Sequence, residues 1–185
     1  MTGAATDIGV READAGDAAT IARIYAESWQ STYAGILPDD ILLNLKSGER
    51  ETRRCRAILG PYRRNHFVHV AEAAESGVIG FASAGPSRSA ALSYNAEVCT
   101  IYIQDEFHGR GIGRQLFAST VARAQEARGP SVIVWCLSTN PSRFFYERMG
   151  GVQVARRPGK IGAVAIEEVG YAWADASDVV VWGSA

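Results

Sequence analysis

The chain has 185 residues, 47% apolar and 21% charged, with a net charge of −1, which suits one globular domain with a core of its own. So small a charge gives no field for nucleic acid or an anionic membrane, and neither is expected as a partner. The first residues lack a secretory signal, no apolar run nears the roughly 20 residues of a membrane span, and a cytoplasmic location follows as the expectation.

From the N-terminus, Ile8–Glu12 reads as a short strand. Asp17 is placed to cap a helix whose apolar positions Ile21, Ile24, Tyr25 and Trp29 share one face. Thr32, Tyr33 and Gly35 break that pattern. Pro38 and Asp39 open a second helix through Leu45, and a third is predicted over Glu49–Leu59, stopped by Gly60-Pro61. The period then changes. Phe67–Ala73 and Val78–Ala84 are predicted strands with a turn at Ser76-Gly77; Pro86–Asn95 is a polar loop and Val98–Ile103 the next strand. A helix runs from Gly111 to about Ala127, with Ile112, Leu116, Phe117, Thr120, Val121 and Ala124 on one side. Val132–Leu137, VIVWCL, is the unbroken apolar run of a strand covered on both faces. Asn140-Pro141 suit the cap and first position of a short helix, and Gly150 the position past its end. Strands over Val152–Arg156 and Val164–Trp173 complete a single α/β (α+β) domain with a mixed sheet, core about 7–175 and tail 176–185. Val179–Trp182 form an apolar patch in that tail.

Three groups carry little chemistry. Cys55, Cys99 and Cys136 are far apart and odd in number, against a disulfide framework or zinc knuckle. His66 and His69, three apart on a strand, point to opposite faces, so no metal site is expected. The arginines at 50, 53, 54, 56, 63 and 64 read as a solvated basic face.

The informative stretch is Val98–Gly113, VCTIYIQDEFHGRGIG. A strand enters a Gly-rich turn that opens a helix. Gly109, Gly111 and Gly113 remove side chains where a ligand approaches backbone. The first helical amides have no partner within the helix and, with the dipole, suit phosphate; Arg110 and Arg114 add positive charge. A P-loop is excluded because no Lys-Ser or Lys-Thr follows. A dinucleotide fingerprint fails because Arg114 stands where its third glycine belongs, and VIVWCL ends without an acidic residue. On the glycines alone, a phosphate site and a closely packed turn remain equally open.

The surrounding residues resemble motif A of the GNAT acetyltransferases, [QR]-x-x-G-x-[GA], here His108-Gly109-Arg110-Gly111-Ile112-Gly113, with His108 where Gln or Arg is usual. Asn140–Gly150, NPSRFFYERMG, resembles motif B, roughly N-x-x-A-x-x-F-Y-E-x-x-G. Asn140, Phe145, Tyr146, Glu147 and Gly150 fall on it; Arg143 replaces a small residue and Gly151 an aromatic one. Trp29–Leu37 with Pro38 is similar to the W-x-x-x-Y-x-G-x-x-P stretch of a GNAT subgroup. The resemblance implies a single domain with a mostly antiparallel mixed sheet of six to seven strands flanked by helices. It implies acetyl-CoA as co-substrate and acetyl transfer to a primary amine of a small molecule or peptide, by direct attack in a ternary complex, in a protein that often pairs as a homodimer. An acyl-CoA sensor of the same fold is the alternative.

The same resemblance assigns roles. The backbone of Ile101, Tyr102 and Ile103 would lie along the pantetheine arm. His108, Gly109, Arg110, Gly111, Ile112, Gly113 and Arg114 would hold the pyrophosphate. Asn140, Phe145 and Tyr146 would complete the cofactor site, with Tyr146 giving a proton to the leaving sulfur. Glu97, at the start of the same strand, is the candidate general base, acting through water. Trp29 and Tyr33, placed after the first helix, would wall the acceptor pocket, aromatic faces suiting a cationic amine.

Overall fold

The computed structural model describes residues 8–44, 52–53, 55–56, 59, 65–89 and 91–179. Seven strands form one sheet: β1 (Ile8–Glu12), β2 (Phe67–Ala73), β3 (Gly77–Pro86), β4 (Ala96–Ile103), β5 (Val132–Leu137), β6 (Val152–Ile161) and β7 (Val164–Trp173). Their spatial order is β1-β2-β3-β4-β5-β7-β6. Every neighbouring pair is antiparallel except β4 and β5. That parallel pair needs a crossover, supplied by α3 (Ile112–Arg128).

Helix α1 (Ala18–Tyr33) covers one face of the sheet, packing Ile21 and Ile24 against Val68, Val70 and Phe81. On the other face α3 sets Ile112 and Leu116 on Ile79 and Ala82, and Phe117 and Val121 on Val98 and Val134. β5, whose Val132, Val134 and Cys136 join the core beside Phe117 and Val121 and whose Leu137 packs beside Tyr33 and Leu42, is buried at five of its six positions, as its unbroken apolar run requires. Two shorter helices are α2 (Asp39–Asn44) and α4 (Arg143–Arg148).

Several boundaries differ from expectation. Asp17 does not cap α1 with its side chain. It takes two hydrogen bonds from Arg11 (2.8 and 3.0 Å) and one from the Asp14 amide (2.9 Å), while Asp14 caps a preceding 3-10 turn. Helix α1 runs on through Thr32 and Tyr33, because the Tyr33 ring is buried; Gly35, at φ 74°, turns the chain just beyond. Strand β6 continues past Pro158 to Ile161. It is an edge strand bonded to β7 alone, so a proline costs it no pairing. Helix α4 begins at Arg143, after a turn in which Asn140 Oδ1 accepts the Ser142 amide at 2.8 Å. Of the expected third helix, positions 52, 53, 55, 56 and 59 are described and helical, with Cys55 and Leu59 in the α1-side core; its other residues, Leu45, and most of the basic cluster lie outside the described residues. Val179 packs into the molecule's own core beside Ala176, and positions 180–182 lie outside the described part. His69 is buried 3.3 Å from Thr120.

Candidate active site

β4 and β5 stay paired only over Ala96–Val98 and Val132–Val134. Beyond Val98, β4 runs five more residues to Ile103 bonded to β3 but not to β5. Opposite this point the β3–β4 register shifts between Ser83 and Ala84, making Cys99 the extra residue of a bulge. The bulge re-aims the strand: Val98, Ile101 and Ile103 meet α3, while Tyr102 reaches the α1 side. A cavity of about 810 Å³ opens in the fork. Its walls are residues 99–103 of β4, 134–136 of β5, and Ser28, Thr32 and Tyr33 of α1; its far end is the turn after β4.

In that turn the amides of residues 109 to 113 find no hydrogen-bond acceptor among the described residues, and the first helical donations come from Arg114 and Gln115 to Gly111 O (3.0 and 3.3 Å). The three glycines have two different causes. Gly109 and Gly111 sit at φ 75° and 80°, where a side chain strains the backbone, and a Cβ on either would meet nothing within 4 Å. At Gly113 the neighbours are close instead: a Cβ there would stand 3.3 Å from Ile103 and 3.6 Å from Phe145. The turn thus leaves five amides unpaired, with open space at Gly109 and Gly111, at the positive end of a 17-residue helix, an arrangement suited to a diphosphate.

Tyr146, on α4, projects into the cavity. Its ring sits among Phe117, Phe145 and Tyr171, and its hydroxyl makes no hydrogen bond to the described protein. Burial, with Cys136 and Tyr33 nearby, raises its pKa well above that of an ordinary phenol, so it stays protonated. Burial likewise pushes the Cys136 thiol up to about 12, leaving it neutral. Tyr33 accepts a 3.1 Å hydrogen bond from Asn140 Nδ2. Because Asn140 Oδ1 is committed to the Ser142 amide, the amide orientation is set by chemistry. The Tyr33 oxygen is the acceptor and its own proton is aimed elsewhere.

The GNAT acetyltransferase domain model matches residues 64–150. Over 169 residues the chain is 36% identical to the uncharacterized N-acetyltransferase YuaI of Bacillus subtilis (strain 168), covering 91% of this chain and 94% of that protein. The chain belongs to the GNAT acetyltransferase family. The fold agrees with solved structures of the PaiA N-acetyltransferase from Thermoplasma acidophilum in complex with coenzyme A (TM-score 0.68, 20% identity, 88% of this chain and 98% of that one) and of YncA from Salmonella typhimurium, a putative acetyltransferase with acetyl-CoA (TM-score 0.69, 22% identity, 90% and 92%).

Within this GNAT domain most of the expected site residues meet in the cavity, and three do not line it. Glu97 is 1% exposed and lies against Arg88: the Arg88 amide donates to Oε2 at 2.9 Å, and its guanidinium donates to Oε1 from Nε at 3.0 Å and from Nη2. The expected base is therefore a carboxylate held in an ion pair behind the cavity wall. Trp29 is not after α1 but in its last turns, its ring 4.9 Å from that of Tyr33, forming a second row. Arg110 turns outward to the Glu106 carbonyl, 3.0 Å away. His108 is at the wall, but as a staple: its Nε2 lies 2.8 Å from Ile103 O and ties the turn to the end of β4.

Sequence reasoning missed Ser28, Thr32, Trp135 and Cys136. Ser28 and Thr32 had a readable signal, small polar residues at i and i+4 beside the apolar stripe of α1. Gly151, where motif B usually has an aromatic residue, is explained by Trp173. A Cβ at 151 would lie 2.8 Å from that indole, whose Nε1 donates to Met149 O at 2.8 Å.

Proposed function

We propose that this acetyltransferase carries an acetyl group from acetyl-CoA to a primary amine by direct attack within a ternary complex. The reading rests on one convergence: an unpaired strand edge, a turn of unpaired amides and a protonated tyrosine border the same cavity. Acetyl-CoA would supply the acetyl group as a reactive thioester. The amides of Gly109 to Gly113 would grip its diphosphate. The free edge of β4, residues 99–103, would hold the pantetheine arm as a substitute strand, and an amide on it would polarise the thioester carbonyl. Phe145 and Ile103, which line the cavity, would wall that arm from water.

Tyr146 would serve the sulfur. A thiol pKa near 8.5 lies below that of the buried phenol, so Tyr146 shares its proton with the departing sulfur through a hydrogen bond rather than surrendering it outright. Glu97 is given a positioning role, holding Arg88 through their ion pair. The test is twofold. Acetyl-CoA at 100 times its Kd should stabilise the protein by about 2.7 kcal/mol, seen as a rise in melting temperature, and release of coenzyme A should require an added amine. No rise at millimolar acetyl-CoA would sink the proposal.

A further inference from the structure

Asn140 and Tyr33 form a link in which each hydrogen bond has one possible sense. The Ser142 amide can only donate, so the atom 2.8 Å from it is the Asn140 side-chain oxygen, Oδ1. Asn140 Nδ2 then faces the Tyr33 hydroxyl at 3.1 Å, and an NH2 group can only donate. The Tyr33 oxygen accepts, so its own proton lies on the other side of the C–O bond. Both side chains are buried, at 7% and 6% exposure, and both line the cavity.

That proton finds no acceptor among the described residues. Burial raises the Tyr33 pKa, against the hydrogen bond from Asn140 and a weaker influence of the Tyr102 hydroxyl, both of which lower it. Tyr33 therefore stays protonated, and both neighbours act on it as donors. The one carboxylate lining the cavity among the described residues, Asp105, accepts from Ser31 Oγ at 2.5 Å. Ser31 and Tyr33 are two apart on α1 and face different ways. The fork thus holds two uncommitted hydroxyl donors, Tyr33 from α1 and Tyr146 from α4.

Acetyl transfer offers such donors few partners. An ammonium acceptor carries only donors, and once neutral its single lone pair forms the new C–N bond. Among the reacting atoms that leaves the sulfur, served by Tyr146, and the acyl oxygen. We infer that Tyr33 donates a hydrogen bond to the acyl oxygen as negative charge gathers there, beside the amide of the open β4 edge, and that Asn140 is the positioning residue that aims the proton. This inference rests on the acetyl-transfer reading of the cavity. Tyr33 keeps its proton throughout: the C–N bond forms, charge moves onto the oxygen, and it returns as the C–S bond breaks. Two donors from different elements, fixed before the ligand arrives, suit an oxygen whose charge is transient.

Two substitutions test it. Tyr33→Phe removes the proton. Asn140→Asp turns it round: one aspartate oxygen still accepts from Ser142, and the other accepts the proton of Tyr33, which then points away from the cavity. The readouts, taken at a pH where that aspartate is ionised, are coenzyme A release with saturating amine and the infrared band of the isotope-labelled acetyl carbonyl of bound acetyl-CoA. Each variant should lower kcat by about tenfold, the worth of a hydrogen bond, for every amine used. Each should move the carbonyl band to higher wavenumber and leave acetyl-CoA affinity by calorimetry nearly unchanged. The double variant should lose no more than the worse single one, because both act on the same proton. Full activity in Tyr33→Phe overturns the inference, as does an Asn140→Asp protein that keeps both rate and band. A rise in KM for particular amines with kcat intact also overturns it and leaves Tyr33 as part of the acceptor wall. Should Asn140→Asp fail to fold, the Tyr33→Phe band decides, and an unmoved band overturns the inference. A protein that does not bind acetyl-CoA, or passes its acetyl group to no amine, marks failure of the underlying reading instead.

Discussion

The two halves of β4 are one strand treated in two ways. Over Ala96–Val98 it is bonded to β3 on one edge and β5 on the other, and its side chains are buried. Over residues 99–103 the β3 edge is kept, the β5 edge is left open, and burial is only partial. The first half is closed on both edges and the second, on the proposed function, is the docking surface; a one-residue bulge at Cys99 separates them. The difference teaches that this fold opens a cavity by withholding a strand partner. Backbone that elsewhere must be paired is kept available along a rigid element rather than a loop.

That contrast predicts that changes at the open half alter activity, and changes at the closed half alter stability. The largest effect belongs to Tyr146→Phe, which removes the donor from the open side. Turnover should fall by roughly a hundredfold, the usual worth of a general acid, with acetyl-CoA affinity by calorimetry unchanged; full activity would remove the tyrosine from the chemistry. Gly111→Ala should come next. A side chain at φ 80° costs about 1–2 kcal/mol and tilts the amides, so acetyl-CoA should bind about tenfold more weakly while the overall fold by circular dichroism persists. Glu97→Gln should be smallest in activity, with kcat within a few-fold and an unshifted pH–rate profile, but it should lose about 1–3 kcal/mol of stability in urea titration. A large kcat loss with stability intact would return Glu97 to the role of base and break the division between the halves.

What was legible in the sequence was local. The glycines of 109–113, the apolar face of α3 and the run VIVWCL each carry their structural reason within a few residues, and each element formed where expected. The convergence of Tyr146, Tyr33 and Asn140 was legible only through family resemblance, since Asn140 and Tyr33 are 107 positions apart. The ion pairs were not legible. Arg88 and Glu97 are separated by a polar loop, and nothing in either residue's neighbourhood marks the other. The end of α1 was misread for a related reason: Thr32 and Tyr33 break the apolar stripe because they line a cavity, so a cavity wall looked like a helix boundary. Strand β6 runs five residues past the expected end at Arg156, and its place at the sheet edge makes Pro158 harmless within it.

Residues 151 and 173 have a consequence for redesign. They occupy one volume between them, with the indole of Trp173 standing where any side chain on Gly151 would go. A graft that restores an aromatic residue at 151 therefore has to shrink 173 in the same step. It also has to find the carbonyl of Met149 a new donor, because the two sites are a single unit of inheritance for anyone rebuilding this wall of the enzyme.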